Sequence, residues 1–211
     1  MTGSRQAGQP ASAKAHGIHY TPSALAAFLA ERVLGHLEVQ APDVLDPACG
    51  DGELLAAIGS ASGGAISLVG VDRDASAVNH ARTRLEDVDC SFELLNADFL
   101  DVASGQLDLF ASVDAAPLAA RGALEGRFDA VISNPPYVRT QVLGAETARS
   151  LAQRFDLSGR VDLYQAFVKA MTPCLRDGGV LGLLCSNRFL AVQSGEALRE
   201  LLAREYELCE I

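Results

Sequence analysis

Short apolar segments that end at polar loops alternate with amphipathic segments along almost the whole of this 211-residue chain. The alternation predicts a mostly parallel sheet with right-handed crossovers and helices on both faces. The predicted strands are residues 44–46, 66–71, 91–95, 128–133 and 180–185, with 207–211 beginning a sixth. The predicted helices are 25–37, 53–58, 75–85, 163–175 and 194–205. We expect Thr21 or Ser23 to cap the first of them, and residues 177–179 to end the helix at 163–175.

Composition suits a single domain with an aliphatic core, since 49% of the residues are hydrophobic but only 6% are aromatic. Residues 1–17 show no periodicity and are expected to form a disordered leader. No apolar run reaches the roughly 18–20 residues of a membrane span. Five cysteines show no metal-binding spacing, and no signal peptide precedes them. We therefore expect a cytoplasmic protein with no metal and no membrane partner.

The formal net charge of −10 argues against a nucleic-acid-binding surface within this chain. Affinity for a phosphate backbone relies on Lys and Arg. Only two lysines occur, Lys14 and Lys169. Any basic surface that binds nucleic acid is thus expected to lie outside this chain.

The most specific motif is Asn134-Pro135-Pro136-Tyr137, which follows the apolar segment 128–133. Two prolines end the strand because neither donates a backbone hydrogen bond. The loop combines an amide, which donates and accepts hydrogen bonds, with an aromatic ring that stacks on flat groups. These groups suit the binding of a planar amino group, although an ordinary Pro-Pro turn with a surface Tyr is the simpler alternative.

Glycines occur in the loop after the first predicted strand, residues 46–53, whose sequence is DPACGDGE. Glycine lets the backbone turn tightly and approach a ligand closely. The loop matches neither a phosphate-binding loop nor a dinucleotide fingerprint. Its acids, Asp46 and Asp51, would repel a pyrophosphate but suit an ammonium and a sulfonium. A simple tight turn remains the alternative.

Acidic residues also follow the next two strands. Asp72 lies about 20 residues beyond the glycine turn, where a carboxylate commonly accepts both hydroxyls of a ribose. Asp98 can accept an amino hydrogen of a purine whose face Phe99 covers. Helix caps and a core Phe are the alternatives. All these loops converge on one edge of a parallel sheet, and together they predict a pocket for S-adenosylmethionine.

These motifs, in this order, resemble the catalytic domain of the amino-methylating DNA methyltransferases, in particular the N6-adenine type of restriction–modification enzymes. The matching segments are 19–22, 46–52, 71–72, 97–99, 134–137, 164–167 and 177–180. The resemblance implies a Rossmann-like α/β S-adenosylmethionine-dependent methyltransferase fold, with residues 18–211 as the catalytic domain. It also implies methyl transfer to the N6 of an adenine flipped out of DNA.

The resemblance assigns a catalytic loop made of Asn134, Pro135, Pro136 and Tyr137. Asn134 and Pro135 would accept hydrogen bonds from the target amino group, and Tyr137 would stack on the flipped base. No covalent enzyme intermediate is needed for this transfer, and the loop contains no cysteine or histidine to form one.

The resemblance also assigns a set of cofactor-binding residues. They are Tyr20, Thr21, Pro22, Asp46, Pro47, Ala48, Cys49, Gly50, Asp72, Asp98, Phe99, Asn134 and Phe167. Tyr20 and Thr21 would close over the methionine end of the cofactor. Asp72 would bind its ribose, and Asp98 with Phe99 its adenine.

In the family that the chain resembles, a seventh, antiparallel strand and a target-recognition domain follow the sixth strand. The chain stops at Ile211. We therefore expect the last antiparallel strand to be missing, DNA to bind through a recognition domain outside this chain, and a partner chain or segment to complete the sheet.

Other functions remain compatible with the same motifs. Asn-Pro-Pro-Tyr also occurs in glutamine N5 methyltransferases of release factors, whose substrate amide poses the same geometric problem. An RNA adenine methyltransferase is a nearer alternative. A cofactor-binding module that is inactive without a partner chain is the alternative of another class. The element Tyr20-Thr21-Pro22 and the helix at 162–175 favour the DNA enzymes.

Overall fold

The computed structural model describes residues 21–105, 124–137, 144–157, 163–191 and 195–211. Within these ranges, five parallel strands form one sheet in the order β3-β2-β1-β4-β5. The strands are β1 (Asp43–Asp46), β2 (Ser67–Asp72), β3 (Ser91–Asn96), β4 (Phe128–Ser133) and β5 (Leu175–Leu183). The predicted parallel α/β fold is confirmed.

Helices connect the strands. They are α1 (Ser23–Gly35), α2 (Glu53–Ser62), α3 (Ala75–Leu85), α4 (Phe99–Ser104), α5 (Ala145–Arg154), α6 (Leu163–Met171), α7 (Arg188–Ala191) and α8 (Glu196–Glu205). A 3₁₀ turn, Thr172–Cys174, follows α6. In the part of the chain that the structure describes, no helix is long and apolar enough to cross a membrane.

The sheet separates two apolar cores, and the strands divide their side chains between them. Val44, Leu68 and Ile132 pack with α1, α2 and α3 on one face. Leu45 and Val131 pack with α4, α5, α6 and α8 on the other face. This division follows from the two-residue period of a strand. Every residue of β4 is buried, as expected of a strand that is covered on both faces.

The strand order reverses between β1 and β4, which pair directly in the middle of the sheet. Ligands bind at such a switch point in open α/β sheets, beyond the carboxyl ends of the strands. Asp46 ends β1, Asp72 ends β2, and Asn134 follows β4 directly. The fold therefore brings three separate sequence motifs to one edge of the sheet.

Two predictions at the end of the chain are wrong. Residues 177–179 do not end a helix, because α6 stops at Met171 and the segment Asp177-Gly178-Gly179 lies within β5. Gly178 has φ +78° there, and the pairing of β5 with β4 changes register beside it, as in a β-bulge. Residues 207–211 form no strand among the described residues, and Glu210 instead contacts Arg32 of α1 and His36, the residue that follows this helix.

The capping prediction at the first helix is also wrong. The N-cap of α1 is Pro22, and no side chain donates or accepts a capping hydrogen bond there. Neither Thr21 nor Ser23 therefore caps α1. The predicted leader 1–17 and Tyr20 lie outside the described residues.

Candidate active site

A cleft that is partly open to solvent lies at the switch point of the sheet. The cleft is lined by Thr21, Asp46, Ala48, Cys49, Gly50, Asp51, Glu53, Leu54, Asp72, Asp74, Ala77 and Asn134. Its lining therefore includes residues of four of the predicted motifs. The two that are farthest apart, Thr21 and Asn134, are separated by 113 positions in the sequence.

The glycine turn between β1 and α2 is held in place by backbone contacts. The N–H of Cys49 donates to the carbonyl of Val71 at 3.0 Å, and that of Gly52 donates to Cys49 at 2.8 Å. Gly50 and Gly52 have φ +53° and +81°, which favours glycine at both positions. A Cβ at Gly52 would lie 2.9 Å from that of Ala81 in α3, so this glycine also permits close packing.

Asp72 links the glycine turn to the end of β2. One carboxylate oxygen accepts from the N–H of Gly50 at 2.9 Å, and the other accepts from the N–H of Asp74 at 2.9 Å. Asp74, not Asp72, caps α3 by accepting from Ser76 and Ala77. The two backbone donors fix the orientation of the Asp72 carboxylate. Its remaining lone pairs are available to hydroxyl groups of a ligand.

The cleft is acidic, because five carboxylates and no Lys or Arg occur among the residues that line it. Arg84 of α3 offsets two of these charges. Its guanidinium donates to Asp51 Oδ2 at 2.9 Å and also contacts Glu53. Asp46, Asp72 and Asp74 have no such cationic partner among the described residues. The arrangement suits a cationic ligand and opposes a polyphosphate.

Asp46 is almost fully buried at the base of the cleft, with 1% of its surface exposed. One oxygen accepts from the N–H of Ala48 at 3.1 Å. Burial, with a contribution from the neighbouring charge of Asp72, raises the pKa of Asp46 to about 7. A cationic group bound beside it would favour its ionised form.

Asn134 is one of the residues that line the cleft. Its side-chain Nδ2 donates to Thr21 Oγ1 at 3.2 Å. Pro135 is buried behind it, and Pro136 and Tyr137 are half-buried. With its amino end directed at Thr21, the amide of Asn134 leaves its carbonyl oxygen to accept a hydrogen bond from a ligand.

The ring of Tyr137 is held at both its face and its hydroxyl. It stacks on Tyr164 of α6, with ring centroids 5.7 Å apart and an interplanar angle of 11°. Its hydroxyl donates to the carbonyl of Leu184 at 2.6 Å, while the N–H of Leu184 donates to the carbonyl of Ser133 at the end of β4. Burial raises the pKa of the Tyr137 hydroxyl, which therefore stays protonated at neutral pH.

Three other predicted cofactor residues lie outside the cleft. Phe99 is 1% exposed and packs against Phe167, with ring centroids 5.6 Å apart. Asp98 caps α4 by accepting from the N–H of Leu100 at 2.9 Å. These three residues are not among those that line the cleft. Asp98 and Phe99 occupy the cap and core positions named above as alternatives, and the adenine site remains a prediction.

Two residues of the site carried no sequence signal for their role. Arg84 is one of two arginines in α3, the helix after Asp72, and nothing local indicates a contact with the glycine turn. Tyr164 belongs to the motif Tyr-x-x-Phe in α6, but its partner Tyr137 lies in the loop after β4, far away in the sequence. Both contacts depend on the tertiary fold.

Two solved structures share this fold at low sequence identity. One is a proposed class I S-adenosylmethionine-dependent methyltransferase from Listeria monocytogenes, with a TM-score of 0.61, 20% identity, and coverage of 86% of this chain and 50% of that one. The other is the methyltransferase subunit of a type I restriction–modification system from Streptococcus thermophilus. Its TM-score is 0.60 at 21% identity, covering 88% of this chain and 38% of that one. The fold is thus that of the class I methyltransferases, whose methyl donor is S-adenosylmethionine.

Sequence comparison identifies the family within this class. Residues 67–211 match the profile of the Eco57I restriction-modification methylase, and the chain belongs to that family. It is 40% identical to the type II methyltransferase M.BanIII of Aneurinibacillus aneurinilyticus over 94% of this chain. It is 28% identical to M.TthHB8I of Thermus thermophilus over 92% of this chain. The chain spans 35% of the length of the first relative and 40% of the second. The resemblance to restriction–modification methyltransferases is confirmed.

Proposed function

We propose that this chain is the S-adenosylmethionine-binding and catalytic part of a DNA methyltransferase that modifies the exocyclic N6 of adenine. The observation that carries this proposal is the position of Asn134, which lines an acidic cleft and whose carbonyl oxygen is left to accept from a ligand. Membership of a restriction–modification methylase family supports DNA as the substrate.

The residues of the cleft fit the proposed cofactor. S-adenosylmethionine supplies a methyl group activated by a sulfonium, and it also carries an ammonium and a ribose. Asp46 and Asp74 provide negative charge without a cationic partner among the described residues, and Asp72 provides fixed acceptors for the ribose hydroxyls. Gly50 has no heavy atom within 4 Å of an added Cβ, so the turn leaves space on that side.

The target amine is a weak nucleophile because its lone pair is delocalised into the aromatic ring. The carbonyl oxygens of Asn134 and Pro135 accept its two hydrogens, which favours a more tetrahedral and more nucleophilic nitrogen. Tyr137 stacks on the target ring and fixes its plane. Alignment of nitrogen with the methyl group supplies much of the remaining acceleration. A base in a duplex must leave the helix to reach this loop.

The half-buried ring of Tyr137 supports the stacking role. Tyr164 stacks on one face of that ring and so fixes the plane in which the ring lies. The hydrogen bond to Leu184 holds the hydroxyl end of the ring in place. A ring that is already oriented loses little conformational entropy when a base binds.

The test is to incubate the full-length protein with methyl-labelled cofactor and one of three substrates: duplex DNA, RNA of the same sequence, or a glutamine peptide. Label in the DNA, recovered as N6-methyladenine after digestion, is the expected result. Label recovered as N4-methylcytosine would contradict the adenine assignment. Label in the RNA or peptide alone would favour one of the other functions, and cofactor binding without transfer would favour an inactive module.

Asn134→Ala separates the two parts of the proposal. It should abolish transfer while leaving cofactor affinity nearly unchanged, because Asn134 acts on the target. Loss of cofactor binding to the same degree as turnover would place Asn134 in the cofactor site instead.

A further inference from the structure

We infer that Thr21 is a positioning residue for Asn134, and that its hydroxyl provides the acceptor that the amide needs in its productive orientation. The inference rests on the proposed function, and it deepens the account of the same site. The resemblance assigned Thr21 to the methionine end of the cofactor, whereas in this structure its hydroxyl contacts the side chain of the target loop.

The two ends of the Asn134 amide have opposite hydrogen-bonding properties. The nitrogen carries two donors and the oxygen carries only acceptors. Only the oxygen can accept a hydrogen from a target amine, so the nitrogen must point elsewhere during the reaction. In this structure the nitrogen points at Thr21 Oγ1, 3.2 Å away. In the reverse orientation, the amide donors would face the amino hydrogens of the target.

The start of α1 places Thr21 opposite Asn134. The helix begins directly after Pro22, whose carbonyl accepts from Leu25 at 2.9 Å and from Ala26 at 3.0 Å. The hydroxyl of Thr21 takes no part in capping α1. Downstream, α1 lies so close to β5 that a Cβ on Gly182 would overlap Val33. This packing fixes α1 against the strand next to β4, which carries Asn134.

The cost of losing this acceptor can be bounded. A hydrogen bond between neutral groups contributes about 0.5–1.5 kcal/mol. With valine at position 21, the productive orientation of Asn134 leaves its nitrogen without this partner. The conversion of about 1.36 kcal/mol per tenfold in rate then predicts a roughly two- to twelvefold slower transfer. Serine keeps the oxygen and should restore most of the rate.

The experiment measures single-turnover methyl transfer and cofactor Kd for Thr21→Val, Thr21→Ser and a matched control, Ser23→Ala. Ser23 carries an exposed hydroxyl in the same turn and makes no capping bond. We expect Thr21→Val to slow transfer while cofactor Kd changes less than about twofold. Thr21→Ser and Ser23→Ala should stay close to the unmodified protein. A Kd that weakens as much as the rate falls, or an unchanged rate, would overturn the inference.

Asn134→Asp supplies a second, independent test. A carboxylate has an oxygen at each end and no amino group that needs an acceptor. Thr21→Val should therefore slow the Asn134→Asp protein much less than it slows the unmodified one. An equal effect in both backgrounds would show that Thr21 does not act through the amide.

A spectroscopic readout covers the case in which no methylation of DNA is found. In ¹⁵N-labelled protein, the side-chain amide signals of Asn134 are assigned by their loss in Asn134→Asp. Thr21→Val should shift these signals, and Ser23→Ala should not. Unshifted signals would refute the contact, whereas shifted signals in an inactive protein would refute only the proposed function.

Discussion

Asp72→Asn tests whether the two backbone hydrogen bonds of the Asp72 carboxylate matter more for the proposed cofactor site than its negative charge does. Both oxygens of Asp72 accept from backbone N–H groups, one from Gly50 and one from Asp74, each at 2.9 Å. Asparagine has one oxygen, and its amino group would face the second donor. The substitution removes one hydrogen bond to a charged group, worth about 1.5–3 kcal/mol. For a protein of this size that lowers Tm by roughly 3–12 °C.

The same change should weaken binding of S-adenosylmethionine about tenfold or more, because in the proposed site the ribose would lose a charged acceptor and the glycine turn would lose its link to β2. Asp74→Asn is the matched control. It removes the same charge from the same cleft, but asparagine caps a helix as well as aspartate does. It should therefore leave Tm nearly unchanged and weaken binding clearly less than Asp72→Asn does.

Thermal unfolding and titration calorimetry measure the two quantities on the same protein samples. If Asp72→Asn and Asp74→Asn weaken binding equally, the site responds to net charge and the geometric reasoning is refuted. An unchanged Tm for Asp72→Asn would show that the bonds to Gly50 and Asp74 contribute little.

Three further predictions concern other parts of the molecule. The pKa of Asp46 is raised to about 7, so its contribution to stability is complete below its unfolded pKa near 4 and is lost as pH rises through about 7. In chemical denaturation, the free energy of unfolding should therefore fall with pH more steeply than in Asp46→Asn. Parallel curves for the two proteins would contradict the raised pKa of Asp46. Tyr164→Leu should weaken target binding by roughly two- to twelvefold, because the ring of Tyr137 loses the stack on Tyr164. Fluorescence of 2-aminopurine placed at the target base measures this binding, and the Kd of the cofactor should stay constant. A matching loss of cofactor affinity would disprove the role of Tyr164 in supporting Tyr137. With a net charge of −10, the chain by itself should not bind DNA specifically at about 0.15 M salt, and sequence-dependent, sub-micromolar binding in a gel-shift assay would show that recognition lies within these residues.

The strands and their terminal loops could be predicted because they depend on local patterns. β1 to β4 lie within a residue or two of their predicted bounds, since apolar runs on a parallel sheet are continuous and end at turn residues. The start of β5 could not be predicted, because Asp177-Gly178-Gly179 has the local sequence of a helix end. Pairing with β4 takes the segment into the sheet, and the register change accommodates Gly178.

Contacts between residues that are far apart in the sequence could not be predicted either. Thr21 precedes a predicted helix, where a threonine commonly acts as the N-cap. Only the folded structure shows that its hydroxyl accepts a hydrogen bond from the side chain of Asn134, 113 positions away. Arg84 and Tyr164 likewise act on loops from other parts of the chain. Residue type and spacing identify which loops meet at the sheet edge, but not the side chains that support them from neighbouring helices.

The burial of β4 on both faces restricts how the chain can change in length. Val131 and Ile132 face opposite cores. One residue inserted or deleted before them within β4 would turn each side chain toward the core on the other face of the sheet. The same change would shift Asn134 relative to the end of β1. Insertions and deletions among homologous chains should therefore fall in surface loops away from this strand, where they are commonly tolerated. The spacing between the apolar run and the Asn-Pro-Pro-Tyr loop should stay constant even where the flanking loops vary in length.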